Sequence, residues 1–198
     1  MNDYLHKGAD ALDWDEAMEL SRRLLADGRV REAMLIDCGC FLGLRISDLL
    51  QLRWDDILSG EVVSVVEQKT SKVRTMKVNP ALKAFAAQCR EKLQADGDDL
   101  IFNSQMYGGT KAMTRQRAAQ ILAKIARDYD IRSARHFSTH SLRKTFGRRV
   151  WLQECAAGNG EVALQLLSDV FGHSSVSITK RYLGIRQDEI LSVYDKLA

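Results

Sequence analysis

Two short stretches in the last quarter of the chain bring together residue types that can do acid–base and nucleophilic chemistry. The first is Thr139-His140-Ser141-Leu142-Arg143. His140 and Arg143 are three apart, so on a helix capped by Ser138 or Thr139 both project from one face. An arginine offers a planar fork of donors for phosphate oxygens, and a histidine can exchange a proton near neutral pH. The second runs from Phe171 to Tyr182, where Gly172-His173-Ser174-Ser175 reads as a turn into a new helix that carries the phenol of Tyr182. An oxyanion clamp, a proton carrier and a phenol nucleophile are what is needed to break a phosphodiester.

A third candidate lies far upstream. Arg45, in Gly43-Leu44-Arg45-Ile46-Ser47-Asp48, falls between apolar helical segments, where an unpaired charge is costly. An ion pair with Asp48, Asp55 or Asp56 would by itself account for it. Lys69 and Lys72 sit in the turn Lys69-Thr70-Ser71-Lys72, between a β-branched run over 61–68 and an alternating apolar and basic run over 73–78. That pattern predicts a β-hairpin, and alone it favours exposed turn lysines.

The elements that must position these residues follow from periodicity. Apolar spacing predicts helices over 14–25, 31–42, 81–94 and 114–128, the last presenting Arg115, Arg117, Lys124 and Arg127 outward. Further helices are expected from His140 to about Cys155, over 161–170, from Ser175 or Ser177 through Tyr182, and over 187–197. The expected class is α+β and mainly α-helical, with a small antiparallel hairpin. Leu49, Leu50 and Leu52 should face inward.

Together these segments resemble the signature of the tyrosine recombinases, the phage-integrase family. The match Gly43-Leu44-Arg45-x-Ser47-Asp48-Leu49-x-x-Leu52 carries that family's first catalytic arginine, and the hairpin carries its lysine. The resemblance implies a catalytic set of Arg45, Lys69, His140, Arg143, His173 and Tyr182, in the family's order, with Lys72 the competitor of Lys69. It implies that Tyr182 attacks a DNA phosphodiester to give a 3′-phosphotyrosyl link and a free 5′-hydroxyl, without metal or ATP and with no cofactor. Arg45 and Arg143 would grip the nonbridging oxygens and Lys69 would protonate the leaving oxygen. His140 would act as base or relay, and His173 would bond the phosphate. Asp48 matches the acidic position that would hold Arg45. His136 reads as structural, and core packing explains the rival phenols Tyr4, Tyr107, Tyr129 and Tyr194.

Composition agrees with a protein that meets a polyanion. At 198 residues and 45% hydrophobic content the chain can bury a core. The net charge is only +3, but it is unevenly spread: residues 1–20 are acidic, while 103–127 and 131–153 contain no acid. These basic stretches predict a double-stranded-DNA surface, with Lys72, Arg74, Arg115, Arg117, Lys144 and Arg148 as candidate contacts. Solvated helix faces are the alternative. No apolar run is long enough for a membrane span, and the start of the chain does not resemble a signal peptide, so a cytoplasmic protein is expected. Cys38, Cys40, Cys89 and Cys155 lack paired spacing and read as free thiols.

Two departures from the family pattern are visible. Arg143 and His173 lie thirty residues apart, which suggests a loop insertion around Gly158-Asn159-Gly160. The chain also reads as one catalytic domain, with its core over about 12–186, and shows no separate upstream core-binding domain. Either it is part of a longer integrase or it resembles the short fimbrial inversion enzymes. In both cases DNA affinity should be about micromolar or weaker and strongly salt-dependent. The helix over 187–197 could pack in cis, or in trans within a tetramer on DNA. Related readings are a type IB topoisomerase and an inactive DNA-binding accessory protein.

Overall fold

A computed structural model describes residues 8–104 and 108–185. Among these it contains nine helices and one two-stranded sheet. The helices are α1 (Trp14–Ala26), α2 (Val30–Leu42), α3 (Ile46–Leu49), α4 (Trp54–Leu58), α5 (Pro80–Leu93), α6 (Arg115–Asp128), α7 (Thr139–Ala156), α8 (Gly160–Phe171) and α9 (Val176–Leu183). The strands are β1 (Val62–Val66) and β2 (Val73–Lys77). The expected mainly helical α+β class with an antiparallel hairpin is what the fold shows. The helix expected over 187–197 lies outside the described residues, as do Tyr4, Tyr107 and Tyr194.

Helix α2 is the centre of the larger core. From Ala33 to Leu42 all residues but Phe41 are buried, including Cys38 and Cys40. A helix that is apolar nearly all round has to be covered on several sides, and α1, α5 and α7 cover it. Amphipathic α1 contributes Ala17, Leu20 and Leu24 from one face. Helices α3 and α4 are short, but they bury Leu49, Leu50, Leu52, Trp54 and Ile57 in the same core. A second, smaller cluster is formed by Leu164, Leu167 and Phe171 of α8, Leu183 of α9 and Ile185 just beyond it, with Phe146 and Trp151 of α7 against it. Helix α7 therefore bridges the two clusters.

Local chemistry sets the ends of the elements that matter for the site. The Ser138 hydroxyl accepts from the His140 N–H, while Ser141 Oγ accepts from the Ser138 N–H, a reciprocal cap that starts α7. Ser175 caps α9 by accepting from the Ile178 N–H, and Thr114 caps α6 by accepting from Arg117. The hairpin pairs Val62 with Lys77 and Val66 with Val73.

Two glycines let the site close. Gly43 ends α2 in the left-handed region, with φ of 56°. A Cβ there would stand 2.4 Å from Phe146 Cδ1 of α7. At Gly147 a Cβ would stand 2.6 Å from Leu183 Cδ2 and 2.9 Å from Phe171 Cζ, so α7 meets α8 and α9 closely there.

The acidic N-terminal stretch turns out to be engaged. The Glu16 carboxylate accepts from the Arg132 and Ser133 N–H groups, and Asp10 accepts from the His136 N–H. These bonds tie the chain's start to the segment leading into α7. The expected insertion near Gly158 is also different in form: the α7–α8 connection is only residues 157–159, and the thirty-residue spacing is taken up by two helices. Among the described residues no helix is long and apolar enough to cross a membrane.

Candidate active site

An open cleft between α3, the β-hairpin turn, α7 and the α8–α9 turn is lined by Arg45, Lys69, His140, Arg143, His173 and Tyr182, together with Ser47, Gln68 and Arg115. Residues up to 137 positions apart in sequence thus meet at one surface. Lys69 and Lys72 are both exposed, but Lys69 lines this cleft and Lys72 lines a separate one on the other side of the hairpin.

The two arginines are fixed by main-chain oxygens. Arg143 is only 4% exposed. Its Nη1 donates to the Gly43 carbonyl at 2.6 Å and its Nη2 to the Phe171 carbonyl at 3.1 Å, with the guanidinium carbon 4.4 Å from the Phe171 ring centroid. Arg45 Nη2 reaches the same Phe171 carbonyl at 3.2 Å. Of five N–H donors on each guanidinium, these bonds use only a part. Burial, and then the neighbouring Arg74 and Arg45, push the Arg143 pKa down to about 10, partly opposed by Tyr182. It remains charged at neutral pH.

Arg45 does not pair with Asp48, as the sequence suggested. Its Nη1 pairs with Glu67 at 2.7 Å. Asp48 instead accepts from the Gln68 N–H at 3.0 Å and from Ser47 Oγ at 3.2 Å, so it anchors the hairpin turn to α3. Glu67 was not foreseen as a site residue. It lies near the end of the β-branched run, where strand alternation puts it on the face of Val63 and Val65, but nothing in the residue order says that Arg45 would meet that face.

Tyr182 stacks edge-to-face on Phe171 and on His173, with centroids 5.5 and 5.3 Å away. Its Oη is shut off from solvent, and the Arg143 guanidinium approaches it without a well-aligned hydrogen bond. Burial raises the phenol's pKa, while Arg143 and Arg45 pull it down without fully offsetting the rise. His173 Nδ1 lies 2.9 Å from Thr179 Oγ1 of the Tyr182 helix. Burial lowers the His173 pKa, and Arg143 and Arg45 add to this. The His140 pKa is likewise lowered, by desolvation first and then by Arg143 and Lys144. Both imidazoles are therefore neutral at pH 7 and able to accept a proton.

Several cations expected on a DNA surface have other partners. Arg74 turns inward, where its guanidinium donates to the Leu42 carbonyl at 3.1 Å and so caps the C-terminus of α2. Arg148 Nη1 donates to the Leu183 carbonyl at 3.2 Å, at the end of the helix that carries Tyr182. Lys144 is half-buried, and its Nζ lies 5.3 Å from the Tyr182 ring centroid. Arg115 and Arg117 stay exposed, and Arg115 borders the cleft. His136 does not line this cleft, and Tyr129 is buried in the core with its hydroxyl donating to Asp27.

This arrangement of helices and hairpin is that of a recombinase catalytic domain. The crystal structure of the XerH site-specific recombinase bound to palindromic difH substrate, a post-cleavage complex, superposes with a TM-score of 0.64 at 19% identity, over 94% of this chain and 53% of that one. The chain belongs to the phage integrase family, whose model matches residues 12–189. It is 28% identical over 179 residues to the probable integrase/recombinase YoeC of Bacillus subtilis, covering 90% of this chain and 91% of YoeC. It is 26% identical over 194 residues to the tyrosine recombinase XerS of Streptococcus agalactiae, covering 94% of this chain and about half of XerS, 51%.

Proposed function

We propose that the chain is the catalytic domain of a site-specific DNA recombinase that breaks and rejoins strands through a phosphotyrosine on Tyr182. The observation that carries this reading is the convergence of two buried or half-buried arginines, one exposed lysine, two imidazoles and one phenol on a single cleft.

In the proposed reaction a scissile phosphate lies over Arg45 and Arg143, whose remaining N–H groups bond the nonbridging oxygens. Charge grows on those oxygens as phosphorus becomes pentacoordinate, so preorganised donors lower the barrier. Removal of one typically slows such a step by about 10²–10³-fold. The Tyr182 Oη–P bond forms as the P–O5′ bond breaks. The phenol proton passes to neutral His140, directly or by relay, and the Lys69 ammonium protonates the departing 5′-oxygen. His173, held by Thr179, donates from its other ring nitrogen to the phosphate. The products are a 3′-phosphotyrosyl enzyme and a 5′-hydroxyl. Attack by a partner strand's 5′-hydroxyl reverses the same bonds, so the exchange needs no ATP, and the roles assigned need no metal.

The partner on this reading is double-stranded DNA, approached through the basic face around Arg115 and Arg117, with tetrameric self-association on DNA and a cytoplasmic setting. The test is a nicked duplex that this chain selects from a random pool, incubated in EDTA and resolved on a denaturing gel. The expected result is a covalent protein–DNA adduct with wild type and none with Tyr182→Phe. No adduct from the wild-type chain on any selected duplex would favour an inactive DNA-binding protein of the same fold.

A further inference from the structure

The chemistry above leaves one buried carboxylate beside the arginines without a role. Glu67 follows β1 and is 7% exposed. Its Oε2 forms an ion pair with Arg45 Nη1 at 2.7 Å and accepts a hydrogen bond from Thr70 Oγ1 at 2.8 Å. Its main chain closes the turn that carries Lys69: the Glu67 N–H donates to the Lys72 carbonyl at 2.9 Å, and the Glu67 carbonyl accepts from Ser71 at 2.8 Å and from Thr70 at 3.3 Å. One residue therefore grips a phosphate-facing guanidinium with its side chain and gathers both ends of the lysine turn with its backbone.

Charge supports the same assignment. Arg45, Arg74 and Arg143 repel one another, and burial followed by this repulsion weighs on Arg74 and Arg143, with Glu67 opposing it at both. Burial alone would raise the Glu67 pKa, but the hydrogen bond from Thr70 and the Arg45 guanidinium outweigh it and keep the carboxylate ionised. The carboxylate holds two donors at once, and each leads to a different partner of the phosphate: Arg45 to the nonbridging oxygens, and Thr70 to the turn from which Lys69 reaches the leaving group.

Resting on the recombinase reading of Arg45 and Lys69, we infer that Glu67 is a positioning residue that sets these two cations in register with each other. A carboxylate that merely neutralised buried charge would affect cleavage equally whatever the leaving group. A residue that positions Lys69 affects it most when the leaving oxygen needs a proton.

The experiment compares single-turnover adduct formation on the selected nicked duplex with that on the same duplex carrying sulfur at the bridging 5′ position. There Tyr182 Oη–P forms as P–S breaks, and the thiolate departs without protonation. Wild type, Tyr182→Phe, Lys69→Ala, Glu67→Ala and the isosteric Glu67→Gln are assayed at saturating protein, with melting temperature and DNA affinity measured alongside. Glu67→Ala and Glu67→Gln should slow cleavage of the ordinary phosphodiester roughly ten- to a hundredfold, the scale of losing an orienting partner. The deficit should shrink on the sulfur substrate, as it does for Lys69→Ala, and Glu67→Gln should melt within a few degrees of wild type. Rates for both variants within about twofold of wild type, or an equal deficit on the two substrates, would overturn the inference while the Tyr182 adduct stands. Absence of a wild-type adduct would overturn the recombinase reading and this inference with it.

Discussion

His173 Nδ1 and Thr179 Oγ1 are 2.9 Å apart, and Thr179 stands three residues before Tyr182 on α9. The fully buried Thr179 hydroxyl thus fixes the ring of His173 to the helix that carries Tyr182. Where the hydroxyl donates to Nδ1, the proton resides on Nε2 and that nitrogen becomes a donor. Thr179→Val keeps the shape but removes the tautomer control. It should slow adduct formation by about tenfold, and Thr179→Ser should restore most of the rate; the scale is that of one lost hydrogen bond, about 1.4 kcal/mol. Equal rates for Val and Thr would show that the contact has no part in cleavage.

A second prediction concerns stability and pH. Asp37, on α2, is buried beside Ser21 and Cys38, and burial raises its pKa to about 6, against 3.8 as the ordinary value. For an acid with a raised folded pKa, the folded state holds the proton more tightly than the unfolded state. Stability is therefore highest below pH 3.8 as far as this group is concerned, and is lost as pH rises through 6. The full effect is about 3 kcal/mol. Asp37→Asn should melt higher than wild type at pH 7.5, and the gap should narrow at pH 5. Chemical denaturation at the two pH values reads this directly. A gap that does not change with pH would place the titration elsewhere.

Arg148 and Arg115 should separate cleanly in DNA experiments. Arg148 bonds the Leu183 carbonyl and so finishes the helix that carries Tyr182, whereas Arg115 is exposed at the cleft border. Arg148→Gln should lower the cleavage rate and leave the salt dependence of DNA binding unchanged. Arg115→Ala should weaken binding and reduce the slope of log K against log salt by about 0.9, the value for one phosphate contact. Fluorescence anisotropy across a salt series decides between them, and the opposite pattern would exchange their roles.

Gly43 is sensitive for two reasons. Its φ of 56° is unfavourable for other residues, and an added Cβ would meet Phe146. Gly43→Ala should cost roughly 1–3 kcal/mol of stability and should also slow cleavage, because the Gly43 carbonyl is an Arg143 acceptor. Gly158→Ala is a useful comparison: its φ is 85°, but an added Cβ meets nothing within 4 Å and the site lies elsewhere. It should lose stability with little loss of cleavage rate at a temperature where it is folded.

Much of this molecule could be read from its residue order, because the signals are short-range. Caps at Thr114, Ser138 and Ser175 mark helix starts, and a β-branched run, a polar turn and an alternating run mark the hairpin. Sequence did not reveal which surface cations were free. Arg74 and Arg148 look like any other basic residue in a basic stretch, but each is taken up by a helix C-terminus contributed from 32 or 35 residues away. Spacing offers Arg45 the partners Asp48, Asp55 and Asp56, and the family resemblance singles out Asp48. The observed carboxylate, Glu67, comes from another element, and the choice between them depends on how the hairpin docks against α3. Long-range packing decides such pairings, and residue spacing does not encode it.

A single main-chain oxygen, that of Phe171, receives both Arg45 and Arg143. A backbone carbonyl is present whatever residue occupies the position, so point mutation cannot delete this anchor. Its location shifts with a change in chain length, or with a substitution that the left-handed backbone at neighbouring Gly172 (φ 64°) resists. The α7–α8 connection at 157–159 lies at the opposite end of α8 from Phe171, so lengthening it moves the far end of a rigid rod. A residue inserted between Phe171 and His173 would move the anchor relative to the imidazole. The Phe171 anchor thus depends little on which side chain stands at 171 and strongly on the length of the chain around it, whereas the Gly43 anchor also requires its glycine. Engineering that grafts sequence into this domain has room at residues 157–159 and none at 171–173.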